Sequence, residues 1–340
     1  MRSLLINRIL IVGLGSIGQR HFRLAGQLFP NADIRVLRHK SSETIINSDS
    51  GFFYDVQDAI TFAPQIVIIA NPATFHIQIA QLFAKTGAHL LVEKPLAASL
   101  EGVTELLATT HKLSTVLLTG YNFRFLPSLQ KFRNLLIEGC IGKILSVRCE
   151  IGQFLPSWRP TSDYRRCVSA RYELGGGALL ELSHELDYLR WIFGEVDWVI
   201  ANLSRQSSLE LDVEDSAHII LGFMPSVDDR RLVGTVNLDF IRHDNTRLCI
   251  AIGEQGSLRW NGLTGEVALY KSGATEWREL FRHAHQRDDS YLAEWDNFIE
   301  CITEHKAPLV TGLDGLRALE IIAAARQSHE SGGKIYVSHH

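Results

Sequence analysis

Four groups of residues have the types and spacing that chemistry needs. Gly13, Gly15 and Gly18 stand in the order GxGxxG, with Ser16 and Ile17 inside the motif, directly after the apolar run RILIV. In such a turn the first glycine permits the tight bend and the second lets backbone approach a pyrophosphate. The third lets the following helix pack on its strand, and that helix's N–H groups hold the anion. Two more groups, Asn71-Pro72-Ala73-Thr74-Phe75-His76 and Glu93-Lys94-Pro95, also follow apolar runs. The fourth is His184, nine residues after Gly175 and three before Asp187. A lysine at a strand end can donate to a substrate oxygen and stabilise developing alkoxide charge. A histidine can take the proton of an alcohol during oxidation and return it in reduction. These are the parts of a hydride-transfer site. No His/Cys/Asp/Glu group has metal-ligand spacing, and a metal-free site is expected.

The residue about twenty positions beyond the glycine motif separates NAD from NADP, because a carboxylate there grips the ribose 2′-hydroxyl. That position is Arg38, followed by Lys40, Ser41 and Ser42, and no carboxylate occurs until Glu43. Cations and hydroxyls suit a 2′-phosphate, so NADP is preferred over NAD. The alternative is a solvated basic loop with NAD bound. Asn71, Pro72, His76, Glu93 and Lys94 lie just beyond strand ends, where a doubly wound fold places its ligand crevice. His76 is expected to fix that crevice rather than to react.

These residues need a frame. Apolar runs at 8–12, 33–37, 66–70, 89–92 and 116–119 alternate with helical patterns, which predicts a doubly wound Rossmann domain over residues 1–122. Beyond it the texture changes. A helix over 127–138 leads into strands near 144–154, a glycine-rich helical segment over 175–193, further strands between 198 and 270, and two closing helices. The fold class is therefore α/β, with a C-terminal α+β domain over 123–340 built on a large, mostly antiparallel open sheet. A net charge of −4 without a basic run excludes a nucleic-acid-coating role and favours a small-molecule partner. Five scattered cysteines fit a reducing cytoplasm, and no apolar stretch reaches the length of a membrane span. The first residues read as a strand rather than a signal peptide.

Taken in order, the glycine motif, the Asn71–His76 segment, Glu93-Lys94-Pro95 and the Gly175–Asp187 segment resemble the Gfo/Idh/MocA family of glucose–fructose oxidoreductase and inositol dehydrogenase relatives. Tyr121 to Phe125 (YNFRF) and the final helices extend the likeness to almost the whole chain. The resemblance implies catalytic roles for Lys94 and His184 and places Glu93 near the nicotinamide ribose. Many members carry an aspartate four residues before the histidine, where this chain has Leu180. Glu181, one helical turn from His184, is expected to assist it instead. The segment from Phe154 to Arg166 is similar to the cofactor-closing and substrate loop of sugar-acting members. Trp158 could then cover a ring face, and Arg159 could bind phosphate or hydroxyl. Arg124, Tyr164 and Asp187 are candidate substrate contacts. The stretch through Gly194 also resembles members beside surface-polysaccharide enzymes, which implies an amino- or deoxy-sugar, free or nucleotide-linked. A homodimer or homotetramer is expected. Two other functions stay open: a glycosidase using transient oxidation, and a non-catalytic NADP-binding regulator.

Overall fold

The computed structural model describes residues 6–38, 51–158, 160, 162–225, 231–284 and 286–339. Lys40, Ser41 and Arg159 lie outside the described residues. The chain forms two compact units, one of residues 1–121 with 292–316, the other of 122–291 with 317–340. A single cut at 122/123 therefore misses a segment that returns to the first unit.

Among its described residues the first unit holds six strands: β1 (Arg8–Val12), β2 (Asp33–Leu37), β3 (Phe52–Phe53), β4 (Ile66–Ile69), β5 (His89–Glu93) and β6 (Leu117–Gly120). They lie in the order β3-β2-β1-β4-β5-β6, every pair parallel. Ile9, Leu10, Ile11 and all four residues of β4 have no exposed surface, as expected of strands covered on both faces by helices. Each such side chain contributes about 1.5–3 kcal/mol on burial. Helices Ser16–Leu28, Val56–Thr61, His76–Ala84 and Val103–Lys112 make the crossovers. Strand order reverses between β1 and β4, so the loops after β1, β4 and β5 gather where such sheets bind ligands. The returning segment bridges to β6 between Leu118 and Thr311 and packs Trp295 at a tilt against His21 and Phe29.

The second unit is built on nine strands: β7 (Ile144–Gly152), β8 (Val196–Ser204), β9 (Ser216–Phe223), β10 (Val233–Asp239), β11 (Thr246–Gly253), β12 (Gly256–Asn261), β13 (Glu266–Lys271), β14 (Arg278–Arg282) and β15 (Ile335–Tyr336). Their order is β14-β13-β12-β11-β7-β10-β9-β8-β15, and only the β7–β10 pair is parallel. In β10 buried and exposed residues alternate, so one face of this strand packs inward while Thr235 and Asn237 face out. The segment expected to be one helix over 175–193 is two, Ala178–Glu181 and His184–Phe193, broken at Leu182 and Ser183. Gly177, at φ 104°, makes the first of these possible. A Cβ there would lie 2.4 Å from Glu214 Oε1, which accepts the Leu179 N–H at the helix start. No helix among the described residues is long and apolar enough to cross a membrane.

Candidate active site

The glycine turn divides its labour among its three glycines. Gly13 has φ 87°, and a Cβ on it would meet Asn71 N at 2.8 Å and Ala70 O at 2.9 Å. A Cβ on Gly18 would lie 2.2 Å from Gly13 O, so this glycine lets the helix close onto the turn. Around Gly15 there is open space. Gly15 is also the N-cap of Ser16–Leu28, and no side chain caps that helix start and no acid lies in its first turn. Backbone N–H groups and the positive helix end therefore face open space, which suits a pyrophosphate. Arg38 follows β2 directly. Its N–H donates to Phe53 O at 3.0 Å, its guanidinium lies 5.9 Å from the Phe52 ring centre, and Gly13 N donates to Leu37 O next to it.

After β4 and β5 the predicted residues meet one another. His76 is buried, with Nε2 2.7 Å from Asn71 O and Nδ1 3.0 Å from Pro95 O. It thus ties the Asn71-Pro72 turn to the Lys94-Pro95 turn. Burial outweighs both carbonyl contacts and lowers its pKa, which favours the neutral ring, whose single N–H donates to one of the two carbonyls. Among the described residues Asn71 Oδ1 is buried without a hydrogen-bond partner, an acceptor that a dinucleotide's donor groups could satisfy. Glu93 accepts the Lys94 N–H at 3.1 Å through Oε2, and its Oε1 lies 2.8 Å from His21 Nε2. Gly120, the register partner of Glu93 on β6, makes room for this carboxylate. A Cβ there would lie 3.1 Å from Oε2.

The second unit places His184 at the first position of its helix, with its ring stacked on Phe123 at 4.1 Å and 10°. The guanidinium of Arg247 also lies against Phe123, at 4.5 Å, and Arg247 donates through Nε to the buried Glu185 at 2.8 Å. Glu181 ends the preceding helix and accepts from Ser169 Oγ at 3.0 Å. The helix break removes the single-helix geometry on which its pairing with His184 was argued.

Arg124 and Asp187 were expected to contact substrate, but each is engaged by the other. Arg124 donates to both Asp187 oxygens, at 2.9 and 2.6 Å, and the two side chains are 2% and 1% exposed. A planar guanidinium matches a carboxylate in this two-point geometry, so burial makes the pair part of the core. In the loop, the Trp158 indole donates to Gln153 O at 3.0 Å and packs edge-on against Phe240. The Tyr164 hydroxyl accepts the Glu210 N–H at 3.2 Å. His21, Phe123 and Trp295 were not singled out from sequence. Only His21 carried a signal, since it stands one helical turn beyond Gly18.

A parallel sheet with an open glycine turn at its switch point defines a nicotinamide-dinucleotide class of fold, here followed by a large, mostly antiparallel unit. The profile of the oxidoreductase family's NAD-binding Rossmann fold matches residues 7–121, and that of the same family's C-terminal alpha/beta domain matches 133–337. The chain belongs to this Gfo/Idh/MocA family of oxidoreductases. It is 27% identical to myo-inositol 2-dehydrogenase of Thermotoga maritima over 346 residues, covering 95% of this chain and 96% of that protein. A 143-residue stretch is 33% identical to levoglucosan dehydrogenase of Pseudarthrobacter phenanthrenivorans, covering 41% of this chain and 35% of that one. In fold it is similar to a levoglucosan dehydrogenase in complex with NADH, with TM-score 0.82 and 20% identity over 98% of this chain and 100% of the other. The WlbA dehydrogenase of Bordetella pertussis, in complex with NADH and UDP-GlcNAcA, gives TM-score 0.79 and 20% identity over 98% and 99%.

Proposed function

We propose that this enzyme transfers a hydride between NADP(H) and a CH–OH/ketone pair on a sugar, amino-sugar, nucleotide-sugar or polyol. The observation that carries the reading is the glycine turn: Gly13 and Gly18 close-packed, Gly15 open over an uncapped helix start, and the orphaned Asn71 acceptor beside it. The names of the myo-inositol and levoglucosan dehydrogenases support a polyhydroxylated substrate. The glycine turn and Asn71 would hold the dinucleotide, whose chemistry would be hydride exchange with the carbinol carbon or the ketone. Lys94 donates to the substrate oxygen and offsets its negative charge as the O–H proton leaves. His184 takes that proton in oxidation and gives it back in reduction. Asn71, His76 and Glu93 hold the turns that line the cofactor's side of the crevice.

Arg38 supports NADP, since nothing at the end of β2 supplies a carboxylate for the 2′-hydroxyl. The solved relatives named above hold NADH, so this preference rests on Arg38 and its neighbours. A charge-assisted contact to phosphate contributes roughly 1.5–3 kcal/mol. NADPH should therefore bind roughly 10- to 100-fold more tightly than NADH, and Arg38→Asp should erase or reverse the difference. Fluorescence titration decides this, and equal affinities in the native chain would reject the preference. Nicotinamide absorbance across a panel of sugars, polyols and nucleotide-sugars tests the reaction itself. Absence of turnover with either cofactor across the whole panel would overturn the proposed function.

Glu181 keeps its proposed role as a helper of His184, now on different grounds. It ends one short helix while His184 opens the next, and Ser169 orients its carboxylate. A nearby carboxylate stabilises imidazolium and raises its pKa. Glu181→Gln should lower turnover and move to lower pH the limb of the pH–rate profile that His184 governs, the acidic limb in oxidation and the basic limb in reduction. An unchanged profile would return Glu181 to a purely structural place beside Ser169.

A further inference from the structure

In the first unit Glu93 belongs to a buried cluster whose other members the proposed chemistry does not use. His21, Glu93 and Glu294 each offer a ligating atom, and these atoms lie within 4.8 Å of one another. All three residues are buried, His21 and Glu294 completely. The grouping looks suited to a metal ion, but the hydrogen bonds at His21 argue otherwise. Trp295 Nε1–H can only donate, and it points at His21 Nδ1 at 3.0 Å. Nδ1 must therefore accept, so the ring's proton sits on Nε2 and is donated to Glu93 Oε1 at 2.8 Å. In this arrangement neither ring nitrogen has a lone pair free for a metal.

The two carboxylates are unequal. Glu93 receives the His21 Nε2–H and the Lys94 backbone N–H. Both oxygens of Glu294 are buried without a hydrogen-bond partner among the described residues. The titratable groups that face Glu294 are Glu93 from β5 and His21 from Ser16–Leu28, and no ion pair with a lysine or arginine compensates it among the described residues. Two buried carboxylates this close do not both ionise without a cation. The charge therefore stays on Glu93, where donors stabilise it, and the proton stays on Glu294. We propose that Glu294 is a positioning residue of the dinucleotide site, a neutral acid whose lack of charge lets His21 hold Glu93 ionised and fixed beside Lys94. This rests on the reading of the crevice as a dinucleotide site. Burial, reinforced by Glu93, pushes the Glu294 carboxyl well above the ordinary carboxylate range, in agreement with that assignment. Ionising Glu294 at alkaline pH puts a second negative charge against Glu93 and disturbs the strand end that presents Lys94.

Three measurements on the full-length protein test this. Infrared difference spectra at neutral pH should show the carbonyl band of a protonated carboxylic acid that Glu294→Gln removes. The folded group loses its proton at higher pH than the unfolded one, which titrates near about pH 4.3. Between those two points the native chain loses stability as pH rises, a loss that glutamine cannot suffer. The melting temperature of Glu294→Gln minus that of the native chain should therefore grow with pH. NADPH and NADH binding to the native protein should weaken by roughly tenfold between neutral and alkaline pH, as the Glu294 carboxyl, held up by burial and by Glu93, ionises. Glu294→Gln should abolish that weakening. Absence of the infrared band, or a melting difference flat with pH, would overturn the protonated state. A band with identical alkaline weakening in native and variant proteins would overturn the positioning role. Failure of either dinucleotide to bind at any pH, with the band present, would reject the cofactor reading and the positioning role built on it.

Discussion

Replacing Lys94 by alanine is expected to lower turnover by roughly 100-fold or more while leaving dinucleotide affinity within a few-fold, as loss of an acid–base or electrostatic group does. The expectation depends on how the backbone is held here. Glu93 is anchored by His21, and it accepts the backbone N–H of Lys94. On the other side the Pro95 carbonyl faces His76, itself buried and turned toward Asn71. None of these contacts needs the lysine side chain, so alanine removes the charge at the strand end and keeps the turn. Single-turnover absorbance at saturating cofactor, paired with fluorescence titration of NADPH and NADH, reads the two quantities separately. Lys94→Arg keeps a cation with a different shape and reach, and should recover only part of the rate. A Lys94→Ala enzyme with nearly native turnover would make Lys94 a scaffold residue and remove it from the proposed chemistry.

The Rossmann unit was legible because its strands are short apolar runs between helical patterns, a signal that burial on both faces enforces. The two-residue β3 was not legible, since Phe52 and Phe53 carry no periodicity. At the far edge of the second sheet, β14 (RELFR) exposes most of its length and reads as a polar connection. The amphipathic pattern of Asp289–Glu304 shows that one face is buried but not in which core, so the return of 292–316 to the first unit stayed hidden. That return is what brings Glu294 and Trp295 to His21 across more than 270 residues of chain. The break at Leu182 and Ser183 was masked for another reason. Leu179, Leu180, Leu182 and Leu186 fit a helical stripe equally well with or without an interruption. Polar residues near a crevice were the least legible. Spacing alone cannot tell an arginine that faces a ligand from one that faces a buried aspartate.

The Arg124–Asp187 pair should matter for stability far more than for substrate recognition. Asp187→Asn keeps the size of the side chain but removes the charge that the guanidinium meets at two points, and should destabilise the protein by about 3–5 kcal/mol. Arg124→Met should cost a similar amount by stranding the carboxylate. The double variant Arg124→Met/Asp187→Leu strands neither charge and should regain much of the loss, since apolar replacements of a whole buried pair are often close to neutral. The surroundings favour that recovery. Arg124 already lies against the Trp191 ring at 5.6 Å, and its backbone carbonyl accepts from Gln130 independently of the guanidinium. Denaturant unfolding of Arg124→Met, Asp187→Leu and the double variant closes a thermodynamic cycle whose coupling energy isolates the pair. If both residues instead contacted substrate directly, the single variants would raise KM with native stability, and the double variant would show no rescue. Large destabilisation in each single variant, relieved in the double, places the pair in the core of the second unit, close in sequence to Phe123 and the helix that begins at His184.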